Sequence, residues 1–357
     1  MSNKPKIMYV VKRLSGGIFT YLVHLTERLI DKYDIVIAYS TTPETPKRFR
    51  DYFDSRIPMF RIKNFSESSN ILSFSGARAE LKALVEEQDP DIIHFHGHGA
   101  GKIGRRALEG CGIPMFYTPH GYLYLAENHN ILTRSMERRS EEQGAKIDCM
   151  TIACSKGEYA ETLGLTDNAT YVNNGIDMAE LDEIVRNVKI EDHPLTVYTT
   201  GLINTQKNAG LFNEIAHAMP DVHFKWIGDG DRKYKLTAPN VHVTGWLSRE
   251  DAIREAYSSD VFILTSLWEG LPISLLEAMY MRKLCVVSNV VGSRDVITNG
   301  FNGFVVDSAA AFVNAINQIS YPHVEEIKEN AYLDIVDNYD VNKMAIAYDR
   351  IYQKALK

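Results

Sequence analysis

Glu269 and Glu277, with seven residues between them, are the side chains of this 357-residue chain most suited to chemistry. The apolar run Val261 to Leu264 precedes them and reads as a buried parallel strand, and an apolar-periodic helix with Pro272 in its first turn follows. Glu269 then falls in the loop and Glu277 just over one turn into the helix. The amides of Ile273 and Ser274, at the positive end of the helix dipole, suit an anion such as a diphosphate. Two carboxylates beside it can accept hydrogen bonds at two points of a hydroxyl-rich ligand. Dipole-friendly surface charge is the plainer use of the same two residues.

The segment Trp268-Glu-Gly-Leu-Pro-Ile-Ser-Leu-Leu-Glu-Ala-Met279 resembles the signature of the family 4 glycosyltransferases, retaining enzymes of the two-domain GT-B fold. The resemblance implies that Glu269 contacts hydroxyls of a donor sugar and that Glu277 holds the nucleotide ribose. Gly270, Leu271, Ile273 and Ser274 then join the donor-binding set. In the family the loop Gly201 to Lys207 carries an Arg after the Gly and a Lys five residues beyond, both on the donor phosphates. This chain has Lys207 but Leu202 in place of the Arg. An uncompensated diphosphate is costly, and Arg294, in Val291-Gly-Ser-Arg-Asp295, is a cation that could compensate.

Glycines and histidines supply the other candidates. Gly16 and Gly17 follow a short apolar strand and precede a helical pattern, so their backbone could approach a phosphate, or they could form a plain tight turn. In the resembled family this loop closes over the donor diphosphate or shapes the acceptor site. Gly228 opens Gly-Asp-Gly-Asp231, which matches an Asp-x-Asp metal pattern literally but resembles a nucleotide loop in context. His94, His96 and His98 alternate at the end of a strand, with no fourth ligand at metal spacing, and read better as polar lining at the carboxyl edge of a sheet. His120 heads a loop shaped by Pro119 and Gly121, and Tyr117-Thr-Pro-His-Gly-Tyr122 resembles the family loop beside the transferred sugar. His120 and Glu269 are thus the expected catalytic pair, with no metal ligand and no cofactor.

Strands alternate with helices along the whole chain, which predicts α/β architecture with two Rossmann-like domains. Residues 1–172 form an acceptor-side domain, residues 173–340 a nucleotide-sugar-binding domain, and a last helix, 341–357, packs back on the first. The two facing domains would enclose a cleft. The likeness covers most of the chain and is strongest from 171 to 307.

Composition sets the limits. Hydrophobic residues at 45% and charged residues at 24% describe a water-soluble globular protein. No apolar run has the ~20 residues of a membrane span, and the start runs straight into a strand, so a cytoplasmic protein is expected. Its four cysteines, Cys111, Cys149, Cys154 and Cys285, form no disulfide or zinc pattern. Residues 1–172 carry a net charge of +1 and the remainder −8, and the overall net of −7 with no nucleic-acid motif argues against DNA or RNA. Cations nonetheless cluster in the first half, at 47–63, 102–106 and 134–139. With Phe49, Tyr52, Phe53 and Tyr122-Leu-Tyr-Leu125 they could seat the protein on an anionic membrane face.

The resemblance therefore implies transfer of a sugar from a nucleotide-sugar donor to a hydroxyl acceptor. A polyprenyl-diphosphate-linked saccharide in bacterial capsule, exopolysaccharide or O-antigen synthesis is the expected acceptor. A sugar-nucleotide 2-epimerase and a non-catalytic sugar-nucleotide binder share the architecture and remain alternatives.

Overall fold

A computed structural model describes residues 4–65, 71–126 and 128–357. Two compact units are present: Met1–Asn174 with Asn342–Lys357, and Gly175–Val341.

In the first unit β1 (Lys6–Val11), α1 (Gly16–Leu29), β2 (Asp34–Tyr39), β3 (Met59–Arg61), α2 (Ile71–Gln88), β4 (Ile92–His96), α3 (His98–Ala107), β5 (Met115–Thr118), α4 (Ile131–Gly144), β6 (Met150–Ala153), α5 (Lys156–Leu163) and β7 (Ala169–Tyr171) follow one another. Among the described residues the strands form one parallel sheet in the order β3-β2-β1-β4-β5-β6-β7. Its central strands are apolar runs because helices cover both faces: Ile7 to Val11 are fully buried, and Met8, Val10, Ile93 and Phe95 share one core with α2 and α3. The strand order reverses between β1 and β4, so the loops leaving these neighbours diverge and open a crevice at the carboxyl edge.

The glycine-rich stretch after β4 is helical rather than a loop. Built onto Gly101, a Cβ would lie 2.3 Å from the Tyr117 ring, and on Gly104, 2.2 Å from the Phe95 ring. The glycines let α3 lie directly on the sheet, so close packing outweighs their poor helix propensity. Gly16 and Gly17 are likewise the first two residues of α1 rather than loop residues, Gly16 with φ +58°.

The second unit runs through α6 (Met178–Val185), β8 (Thr196–Thr200), α7 (Ala209–Ala218), β9 (His223–Ile227), β10 (Val241–Val243), α8 (Arg249–Tyr257), β11 (Val261–Leu264), α9 (Ile273–Tyr280), β12 (Leu284–Ser288), α10 (Ser293–Val296), β13 (Phe304–Val306), α11 (Ala309–Ile316) and α12 (His323–Asn338). Its parallel sheet, β10-β9-β8-β11-β12-β13, reverses order between β8 and β11. Phe212, Trp226, Ile263 and Phe312 fill the core. The chain closes with α13 (Val341–Ala355), whose residues from Asn342 belong to the first unit. There the Tyr352 hydroxyl lies 2.6 Å from His94 Nδ1, and Asp349 accepts hydrogen bonds from Tyr33 (2.8 Å) and Lys32 (2.6 Å).

Candidate active site

In the second unit the reversal between β8 and β11 brings two loops side by side. The Thr265 hydroxyl donates to the Lys207 carbonyl at 2.8 Å, the Leu267 amide to the Gln206 carbonyl at 2.8 Å, and the Gln206 side chain to the Trp268 carbonyl at 2.9 Å. These bonds carry Lys207 to Glu269, whose buried carboxylate accepts from Lys207 Nζ at 2.8 Å and from the Ser266 hydroxyl at 2.7 Å. Lys207, Glu269, Gly270, Leu271, Ile273, Ser274 and Glu277 thus lie along one loop–helix turn and the loop beside it. Pro272 caps α9 without a side-chain bond; the Leu275 and Leu276 amides donate to its carbonyl at 3.1 and 3.3 Å, which leaves those of Ile273 and Ser274 without a partner in the helix. Anion-binding amides, one cation and one carboxylate therefore converge there.

Glu277 has a partner the sequence did not reveal. Arg249, at the start of α8, pairs with Glu277 Oε1 at 2.8 Å and forks onto Glu180 of α6, with nitrogens 2.7 to 3.0 Å from the two carboxylate oxygens. The two acids outweigh burial and hold the guanidinium above its ordinary range. Nothing in an amphipathic helix start such as Ser-Arg-Glu-Asp251 marks its Arg as the partner of an acid 28 positions on. Only the fold brings them together.

Gly228 and Gly230 make the neighbouring loop possible. With φ +141°, Gly228 passes so near the β8 loop that a Cβ would lie 2.2 Å from the Gly201 carbonyl oxygen, and one on Gly230 would lie 2.4 Å from that of Ile203. Asp229 accepts from the Gly230 amide at 2.9 Å and lies 3.6 Å from Lys233. No group of three or more His, Cys, Asp or Glu able to hold a metal occurs among the described residues. Gly292, φ +84°, abuts the central loop in the same way, since a Cβ there would lie 2.2 Å from the Gly270 carbonyl oxygen. Arg294, two residues on, is exposed beside that contact. Leu202 is half-buried. Ser293, not foreseen from the sequence, is fully buried there, and its hydroxyl has no hydrogen-bond partner among the described residues.

In the first unit the three alternating histidines part company. His94 is enclosed between Tyr352 and the Thr118 hydroxyl, 2.9 Å from its Nε2, which makes it core rather than lining. His98 opens α3 and bonds Glu141 at 2.8 Å and Glu137 at 3.2 Å. Burial alone would lower its pKa, but the two carboxylates prevail and raise it to about 9. Glu141 is itself buried, with Arg105 at 2.7 Å and the Tyr117 hydroxyl at 3.1 Å.

His96 meets His120. His120 adopts φ +56°, and its loop is held by buried Glu158, which accepts from the Gly121 amide at 2.6 Å and the Cys154 amide at 2.7 Å. Burial raises the pKa of Glu158 against the pull of these two amides. The β1–α1 turn lies beside the start of α3: a Cβ on Gly97 would lie 3.2 Å from Ile18 and one on Gly99 2.6 Å from Lys12. Gly16 and Gly17 face open space.

Two family models account for most of the chain. Glycosyltransferase Family 4 matches residues 15–180, and Glycosyl transferases group 1 matches residues 194–320. The chain belongs to these glycosyltransferases. It is 25% identical to the Escherichia coli UDP-Gal:alpha-D-GlcNAc-diphosphoundecaprenol alpha-1,3-galactosyltransferase, with 82% of this chain and 83% of that one covered. To the Campylobacter jejuni N,N'-diacetylbacillosaminyl-diphospho-undecaprenol alpha-1,3-N-acetylgalactosaminyltransferase it is 26% identical, with 96% and 97% covered. Among solved structures, sucrose-phosphate synthase from Thermosynechococcus elongatus superposes with a TM-score of 0.83 at 14% identity, covering 98% and 99%. Anabaena HepE in complex with UDP-glucose does so at 0.77 and 16%, with the same coverage. The glycosyltransferase therefore has the GT-B fold, with two Rossmann-like domains of seven and six strands.

Proposed function

We propose that this glycosyltransferase moves a sugar from a nucleoside-diphosphate donor to a hydroxyl of a polyprenyl-diphosphate-linked saccharide, with the anomeric configuration retained. One observation carries the donor half: Lys207 is held against buried Glu269 at the head of α9, with Glu277 one helical stretch further on. In this reading the Ile273 and Ser274 amides and Lys207 stabilise the negative charge that collects on the departing diphosphate, so no metal is required. Glu269 accepts from hydroxyls of the donor sugar, and Glu277, held by Arg249, from the ribose. Gly270 and Leu271 form the floor, which Gly292 supports. Gly228 lets its loop lie close, Arg294 supplies charge that Leu202 cannot, and Gly16 and Gly17 offer backbone to a phosphate. His120 is assigned to the transferred sugar.

The acceptor half is supported by what the relatives' names state, since both curated transferases act on undecaprenol diphosphate-linked sugars. Among the described residues no helix is long and apolar enough to cross a membrane. In this reading the chain meets such an acceptor from the cytoplasmic face, as a peripheral protein in the assembly of a surface polysaccharide.

The test is an incubation of the protein with UDP-, GDP-, ADP- and dTDP-sugars and a polyprenyl-diphosphate-linked acceptor, read by mass spectrometry, with Glu277→Ala as control. A product heavier than the acceptor by one sugar, absent with the variant, is expected. Donor epimerised without acceptor, or bound without turnover, overturns the reading.

A further inference from the structure

The aromatic residues expected at a membrane surface are largely enclosed: Tyr122, Tyr124 and Phe53 are buried, Tyr122 bonding the Thr162 hydroxyl at 2.9 Å. Apolar exposure lies instead on the helix that follows. Ile131, Leu132 and Met136 are 83%, 71% and 66% exposed, all within the first two turns of α4. Single exposed apolar side chains are ordinary, but three within six residues form a patch with a use.

The rest of α4 fixes which way this patch faces. Glu137 and Glu141 turn inward to His98 and Arg105, and Asn130 caps the helix by accepting from the Thr133 amide at 2.8 Å. At 100° per residue Leu132, Met136 and Arg139 share the opposite stripe, with Ile131 on its flank. Arg139 is exposed and makes no ion pair among the described residues. Arg134, on the inward side of the helix, is half-buried and donates from Nε to the Tyr124 carbonyl at 2.9 Å. An apolar tip beside an exposed cation that lacks an acid is complementary to acyl chains beneath anionic headgroups, and unlike the surface of a charged partner protein.

We propose that the first turns of α4 dock on an anionic phospholipid bilayer, with Ile131, Leu132 and Met136 entering the acyl boundary and Arg139 meeting lipid phosphates. The purpose of this docking rests on the lipid-linked acceptor proposed above; its test does not. The patch begins six residues after the short turn Leu123–Leu125 that follows the His120 loop, so it would bring that loop to the surface where such an acceptor is anchored.

The test is vesicle flotation of the full chain, with phosphatidylcholine vesicles and with vesicles enriched in phosphatidylglycerol. The wild type should float with the anionic vesicles, less so at high salt. Ile131→Ser/Leu132→Ser/Met136→Ser should lose binding at least about tenfold at every salt concentration, because the methylenes that partition are gone. Arg139→Ala should lose only the part that salt removes. Circular dichroism and donor-induced thermal shift check that the variants fold; should the triple variant fail there, Leu132→Ser and Met136→Ser are read singly. Transfer to a detergent-dispersed acceptor should be unchanged in the triple variant, while transfer to the same acceptor in vesicles falls. Flotation does not depend on turnover, so a chain that floats but transfers nothing counts against the acceptor reading alone. A wild type that stays with the aqueous fraction, or a triple variant that floats equally well, overturns the proposal. So does wild-type self-association that the triple variant abolishes without any vesicle binding, which would make the patch an interface between copies.

Discussion

His96 Nδ1 lies 3.0 Å from His120 Nε2, and the two rings stack with centroids 5.3 Å apart. Burial holds His96 well below the usual range and pushes His120 down to about 3, so both are neutral at pH 7 and one must donate to the other. His96 Nε2 is buried with no hydrogen-bond partner among the described residues. Were His96 to accept at Nδ1, that orphan would be an N–H, the costlier kind; were it to donate at Nδ1, the orphan is a bare acceptor. The second arrangement leaves the proton of His120 on Nδ1, free to donate to a sugar hydroxyl but unable to act as a base there.

Nitrogen NMR should therefore find His120 as the neutral Nδ1–H tautomer, with ring shifts flat between pH 5 and 8. His96→Ala should release the tautomer, so that both neutral forms of the His120 ring are populated, while burial still keeps the ring from titrating in this range. An unperturbed titration of His120 in the wild type would refute the pairing.

Stability should peak near pH 6.5. The depressed folded pKa values of His94, His96 and His120 mean that below about 6.5 the unfolded chain binds protons the folded one does not, and stability falls by about 1.4 kcal/mol per pH unit for each. His98 has the opposite sign: raised to about 9, it contributes stability that is complete below about 6.5 and lost as pH rises through 9. Melting temperature measured from pH 5 to 10 should decline on both sides, and His98→Gln should flatten only the alkaline limb.

Lys207→Met should lower kcat by about a hundredfold, the scale of removing one donor to a developing anion. It also leaves Glu269 with Ser266 as its remaining hydrogen-bond donor at the carboxylate. Steady-state kinetics with saturating acceptor decides it, since a loss confined to KM would make Lys207 a ground-state contact only.

Arg249→Ala strands Glu277, which is nearly buried, and frees Glu180. A loss of about 2–4 kcal/mol in urea unfolding is expected, below that of a fully buried pair because Arg249 and Glu180 are partly solvated. Donor-induced thermal stabilisation should fall with it. Arg249→Lys should recover part of the stability but not the fork onto Glu180.

Glu158→Gln tests the loop that carries His120. A carboxylate can accept from both the Gly121 and Cys154 amides, whereas an amide side chain must turn its own NH2 toward one of them. Turnover should drop while donor affinity by calorimetry stays near the wild-type value. A parallel loss of donor affinity would show that Glu158 supports the whole fold rather than the loop.

Much of the fold was legible because strands covered on both faces are continuous apolar runs, as Lys6 to Val11 and Val261 to Leu264 are. The central loop was legible because its Gly, Pro and Glu each answer a local demand. What the chain hid were relations between distant positions. The parallel register that sets His96 opposite Thr118, and so beside His120, is written nowhere in either segment. Arg249 needed α8 and α9 to be neighbours of α6, and nothing local in any of the three segments announces that. The glycines of α3 argue locally against a helix, whereas in the fold Gly101 makes room for the Tyr117 ring and Gly104 for the Phe95 ring.

The return of α13 to the first unit has a consequence for biosynthesis. As the chain leaves the ribosome, residues 175–341 emerge whole and can condense as a body, while the earlier-made first unit still lacks Tyr352 over His94 and Asp349 beside Tyr33. The half of the protein translated first is thus the last to be finished. Until α13 has been made, His94 and Tyr33 lack the partners that enclose them, so the first unit can be completed only after the whole of the second has been synthesised.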